Sequence, residues 1–160
     1  MSIITGMTDL AHSVWTPAQV RELDRRASAD YGIPGYELMT RAGQAAFGIA
    51  RERWPDARRW LLLCGSGNNA GDGYVVARLA LAAGLDLTVV ALSDPARLQG
   101  DAATAWRDFE SAGGTTQAFA PGMIDSSDLV VDALLGTGLQ RPVSGEFRTA
   151  IEAINAGVRP

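Results

Sequence analysis

Apolar positions along the chain follow two regimes. Up to Trp54 they recur every three or four residues; beyond it, short continuous apolar runs alternate with helical stretches. Thr16 and Pro17 form a helix-start signal, a capping hydroxyl followed by a ring whose missing N–H costs nothing there. Val20, Leu23, Asp24 and Ala27 then recur at helical spacing until "DYGIPG" stops the helix. A second helix is predicted from about Tyr36 to Trp54, with Leu38, Met39, Ala42, Ala45, Ala46, Ile49 and Ala50 as a broad apolar stripe.

The run "RRWLLLCG" (58–65) suits a strand buried on both faces, as in a parallel sheet. A helix from Asp72 to Ala83 follows, closed by Gly84, and then "DLTVVAL" (86–92), a second strand rich in branched residues. "PARLQGDAATAWRDFESAGG" reads as a helix with a glycine stop, "TTQAF" (115–119) as a weaker third strand, and "DLVVDALLG" (128–136) as a strong fourth. Ser144 to Ala156 is the next helix. Repeated strand–helix alternation means an α/β fold whose mainly parallel sheet is covered on both faces, preceded by two N-terminal helices. The alternation calls for another strand after "GVRP", so the domain, placed at residues 15–160, is expected to be incomplete at its C-terminal end.

Composition narrows the class. One domain fits in 160 residues, and 47% hydrophobic content is enough for a core. A net charge of −4 gives no electrostatic case for a nucleic-acid surface. Arg21, Arg25 and Arg26 sit among acidic neighbours and read as a solvated helix face. The single cysteine, Cys64, fits a reducing compartment and a small buried side chain. No apolar run approaches the ~20 residues of a membrane span. Residues 1–14, with His12, lack a signal peptide's pattern and read as a flexible arm, so a cytoplasmic location is expected.

Chemistry is concentrated in two turns. "GSGNNAGDG" (65–73) joins a strand to a helix, where free N–H groups and the helix dipole favour an anion. A Walker loop would need lysine where Asp72 stands, and a carboxylate there would repel a triphosphate. A dinucleotide fingerprint matches formally, but Asp86 lies at the wrong end of the next strand and Asp94 a little beyond it. In the plainest reading, Asp72 caps the helix and the glycines make a turn. The richer one uses Asn68, Asn69 and Asp72, whose side-chain oxygens beside backbone donors can take a hard monovalent cation and a polar ring or phosphate.

In the second turn, Asp132 interrupts an apolar run at a strand's carboxyl end, which is costly unless the carboxylate is paired or coordinated. It either caps its own turn or joins a ligand. Gly136-Thr137-Gly138 allows close backbone approach, and Arg141 offers a phosphate fork. In the common doubly wound order, strands one and four are neighbours and ligands bind beyond their carboxyl ends. Both turns then face one crevice, and one cation between Asn69 and Asp132 would account for both.

"GSGNNAGDGYVVARLA" and "VVDALLGTGLQRPVSG" closely resemble the two signature segments of the NAD(P)H-hydrate epimerase family, the YjeF N-terminal domain. "WTPAQVRELDRRASADYGIPGYELMTRAGQAA" resembles its opening helices. The resemblance implies a Rossmann-like three-layer fold and the epimerisation of R and S forms of NADH or NADPH hydrated at C6 of the nicotinamide ring. A dehydratase dependent on ADP or ATP, in the same chain or a separate one, then restores the cofactor. It implies that Asn68, Asn69, Ala70, Gly71 and Asp72 contact the hydrate, with Gly136, Thr137, Gly138, Leu139, Gln140, Arg141 and Pro142, and that Asn69 and Asp132 hold K+.

There are two departures. The family usually has glycine where Ala70 stands, and it continues with an Asp-Ile-Pro-Ser-Gly segment that lies beyond Pro160. That segment supplies a substrate-contacting aspartate and a further potassium ligand, so this chain is expected to turn over poorly, and no catalytic residue is assigned within it. Asp72 is the nearest carboxylate for acid–base work. Alternatives are a non-catalytic Rossmann-like binding module, as in eukaryotic decapping scaffolds of this family, and an NAD-dependent oxidoreductase. The oligomeric state, a homo-oligomer included, stays open.

Overall fold

The structure, a computed structural model, describes residues 15–140, 142–157 and 160. The expected arm at 1–14 and Arg141 therefore lie outside the described residues. Helix α1 (Pro17–Ala29) opens on a full capping box: the Thr16 hydroxyl accepts from the Gln19 amide, and the Gln19 side chain accepts from the Thr16 amide. Helix α2 (Gly35–Arg53) follows. Its broad apolar stripe divides in two. Met39 and Gly43 are buried and Phe47 and Ala50 pack on the core, whereas Ala42, Ala45, Ala46 and Ile49 face outward.

Among the described residues the sheet has three parallel strands in the order β2-β1-β3: β1 (Arg59–Cys64), β2 (Asp86–Ala91) and β3 (Leu129–Ala133). The central strand lies between both partners, which is why its run is apolar at consecutive positions rather than alternating ones. Trp60, Leu62 and Cys64 point to one face, under α2, α3 (Asn68–Ala82) and α4 (Gly100–Ser111). Leu61 and Leu63 point to the other, against α5 (Gly122–Ser126) and α6 (Gly145–Ala156). Helices thus cover both faces. Asp128 fastens β3 to β1 at the lower end: its carboxylate accepts from the Arg58 and Arg59 amides at 3.0 and 2.9 Å and from the Arg59 guanidinium at 2.6 Å.

Several sequence expectations change. "TTQAF" forms no strand; it leaves one parallel bridge, Gln117 to Val90, on the outer edge of β2. The segment has a described neighbour on one side alone, and pairing stops at that bridge. The predicted helix over 95–114 is split into a single turn at Pro95–Arg97 and α4, because Leu98 and Gln99 between them take extended backbone, with ψ of 149° and 161°. Helix α3 begins at Asn68, not Asp72, so the first turn shrinks to Gly65–Gly67. Among the described residues no helix is long and apolar enough to cross a membrane.

Candidate functional site

The strands β1 and β3 end side by side, and their turns interlock. The Gly65 amide donates to the Ala133 carbonyl at 3.1 Å, and a Cβ built on Gly65 would lie 1.9 Å from the Leu134 carbonyl oxygen. Only a residue without a side chain permits that approach. In the first turn of α3, the Asn69 carboxamide donates through Nδ2 to the Leu135 carbonyl at 3.1 Å. The two odd segments of the sequence therefore form one structure.

The first turn of α3 divides by helical geometry. Ala70 and Gly71 are buried inward; Asn68, Asn69 and Asp72 line a cleft of about 950 Å³. A Cβ on Gly71 would meet Met39 Sδ at 2.6 Å, and one on Gly73 would meet Ala133 Cβ at 2.6 Å. These glycines serve the close packing of α3 on its neighbours, and Gly71 does not reach the cleft. Ala70 sits in ordinary helical backbone, its amide donating to the Gly67 carbonyl at 3.0 Å, so its methyl meets no restriction on φ.

The opposite wall is the second turn, with Gly136, Thr137, Gly138, Leu139, Gln140 and Pro142 all lining the cleft. Asp132 does not line it. On β3 it alternates with Val131 and follows Val130, so it stands exposed on the α6 side. Its Oδ1 accepts from the Leu134 amide at 2.9 Å, the self-capping arrangement. Asn69 and Asp132 are thus anchored on neighbouring residues, Leu135 and Leu134. The second carboxylate oxygen of Asp132 and the carboxamide oxygen of Asn69 carry no hydrogen bond among the described residues.

Asp72 does not cap the helix, since Gly67 holds that position. It is half-buried and has no hydrogen-bond partner among the described residues. Loss of hydration, and secondly the nearby Asp24 carboxylate, push its carboxyl up to about 6. A group titrating there can donate or accept a proton near neutral pH. Burial alone pushes the Cys64 thiol up to about 12, which makes it an inert core residue.

Sequence reading missed the contribution of α1. Val20, Arg21 and Asp24 lie on one face and line the cleft, while Glu22 pairs with Arg25 and Arg26 on the solvated side. The signal was present: Val20 and Asp24 are four residues apart on a helix. What it lacked was the surface to which that face turns. Ser66, Ser93 and Phe147 also join the lining.

The cleft lies beyond the carboxyl ends of parallel strands, at a helix N-terminus and next to a glycine turn, the place where open α/β sheets bind ligands. Residues 35–160 match the family model described as "YjeF-related protein N-terminus", and the chain belongs to that family. It is 44% identical over 151 residues to the bifunctional NAD(P)H-hydrate repair enzyme Nnr of Escherichia coli (strain K12), covering 94% of this chain and 29% of that one. It is 39% identical over 145 residues to the NAD(P)H-hydrate epimerase of Rhodopirellula baltica, covering 88% of this chain and 59% of that one. The chain therefore spans only part of the curated relatives it matches. The fold is similar to the crystal structure of yeast ynu0, YNL200c, with a TM-score of 0.76 and 19% identity, covering 89% of this chain and 65% of that one.

Proposed function

We propose that this chain supplies the epimerase site of NAD(P)H-hydrate repair, interconverting the R and S forms of NADH and NADPH hydrated at C6. The observation that carries this reading is the Asn69–Leu135 hydrogen bond, which unites the two signature turns around one cleft. Epimerisation needs the C6–O bond to loosen and reform on the other face. That chemistry is served by a ring held in one orientation and a group that exchanges a proton with the leaving hydroxyl. The two turns supply the orientation. Asp72, half-buried on the cleft wall, is the carboxyl of this chain suited to proton exchange.

Potassium fits the donor set by chemistry. The Asn69 carboxamide oxygen and the second Asp132 oxygen are hard ligands, on side chains anchored to the neighbouring residues Leu135 and Leu134. Asn69 and Asp132 would hold the ion, which as a weak Lewis acid would order the turn rather than carry the reaction. A dehydratase, in the same polypeptide or a separate one, would take the S hydrate onward.

The test is R-hydrate conversion by this chain, by the Asn69→Ala and Asp132→Ala pair, and by a chain continued past Pro160, each in potassium and in sodium. The reading expects conversion in the continued chain that needs potassium and falls in the paired variant. No conversion by either chain would overturn it.

A further inference from the structure

The main cleft shares two walls, Ser66 and Ser93, with a smaller one of about 280 Å³ that also includes Asp94, Arg97 and Leu98. Strand order gives this side cleft a direction. The signature turns stand above β1 and β3, whereas Ser93, Asp94 and Arg97 follow β2 on the other side of β1. A dinucleotide has two nucleosides joined by a pyrophosphate and lies across the switch point with one on each side. If the hydrated ring occupies the β3 side, the adenosine end reaches toward β2.

Two chemistries can read an adenosine ribose there: a carboxylate accepting from the ribose hydroxyls, or an arginine holding a 2′-phosphate. Asp94 and Arg97 offer one of each, and their hydrogen bonds separate them. Asp94 Oδ1 accepts from the Ala96 amide at 3.0 Å, capping its own turn. Asp94 Oδ2 lies 3.8 Å from Arg97 Nε, too far for a hydrogen bond. The Arg97 guanidinium is 87% exposed and makes no hydrogen bond among the described residues. The acid is capped by its own turn and paired at 3.8 Å with Arg97; the base is held by that exposed ion pair alone, and its N–H donors stay open to a phosphate. Ser66 and Ser93 add hydroxyl donors at the junction of the clefts.

We propose that Arg97, with Ser66 and Ser93, forms a subsite for an adenosine 2′-phosphate, so that the protein takes the hydrate of NADPH in preference to that of NADH. This rests on the epimerase reading above, whose substrate class it narrows. Asp94 acts by holding the turn that carries Arg97.

The probes are adenosine 2′,5′-bisphosphate and adenosine 5′-monophosphate, titrated calorimetrically into this chain and its Arg97→Ala variant. A charge-assisted phosphate contact at an exposed arginine gives about tenfold tighter binding of the bisphosphate. Arg97→Ala is expected to erase that difference and leave monophosphate binding unchanged; as a surface substitution it spares the fold. Equal affinities, or a difference that survives in Arg97→Ala, would overturn the subsite. Epimerisation of NADPH and NADH hydrates separates this from the broader reading. Equal rates on both hydrates would sink the subsite and spare the epimerase. No conversion of either, with the bisphosphate preference intact, would do the reverse.

Discussion

Asn69, in the first turn of α3, donates its side-chain N–H to the carbonyl of Leu135, 66 residues further along the chain. This bond adds to the Gly65–Ala133 contact in holding the two walls of the cleft together. Asn69→Ala should cost about 1 kcal/mol of stability, the usual net worth of such a bond. Urea unfolding would measure it, and amide exchange should quicken at residues 135–138 while the β1 amides stay protected.

Gly65 gives a sharper test of the same junction. A methyl there would lie 1.9 Å from the Leu134 carbonyl oxygen, backbone that cannot step aside cheaply. Gly65→Ala should lose roughly 1–3 kcal/mol, as overpacked interiors do. Gly48, on the exposed face of α2 with nothing near its would-be Cβ, is the control. Gly48→Ala should gain roughly 0.5–1 kcal/mol from helix propensity. Similar denaturation midpoints for the two variants would refute the close approach.

Asp72 makes stability depend on pH with a definite sign. Its carboxyl holds its proton up to about 6 in the folded chain against 3.8 unfolded, so its stabilising contribution is complete below 3.8 and is lost as pH rises through about 6. Asp72→Asn stays neutral throughout. Its melting temperature relative to the parent chain should therefore climb between about pH 4 and pH 7. A flat difference across that window would mean that Asp72 titrates normally. Asp24→Asn, which removes the second cause, should shift the climb to lower pH.

Asp128 runs the other way. The Arg59 guanidinium, with the Arg58 and Arg59 amides, holds its carboxyl well below the usual range. Its contribution is present above the unfolded value of 3.8 and fades as pH falls below it. Asp128→Ala should melt earlier at neutral pH, by a gap that narrows in acid. Thermal scans from pH 7 to pH 2.5 would show this.

The sheet order and the meeting of the two turns are legible in the sequence, because a six-residue apolar run ending in glycine leaves few choices. The start of α3 is not. Asn, Gly and Asp all favour turns over helix by local propensity, and only the packing of Gly71 on Met39 and Gly73 on Ala133 makes the earlier start worthwhile. The stripe on α2 reads as wider than it is, since small residues are apolar on either side of a helix and Ala42, Ala45 and Ala46 stay outside. The roles of Arg21 and Asp24 depend on where α1 is laid down, which no periodicity records.

Helix α3 is gripped on two sides, by Met39 and Ala102 at Gly71 and by Ala133 at Gly73. Such a helix cannot roll about its own axis, and the azimuth of Asn69 and Asp72 is fixed before any ligand arrives. Adjustment to an incoming ligand then falls to the exposed turn at 136–140. The cleft works like a vice with one fixed jaw, and a tighter or looser grip would be engineered on the other.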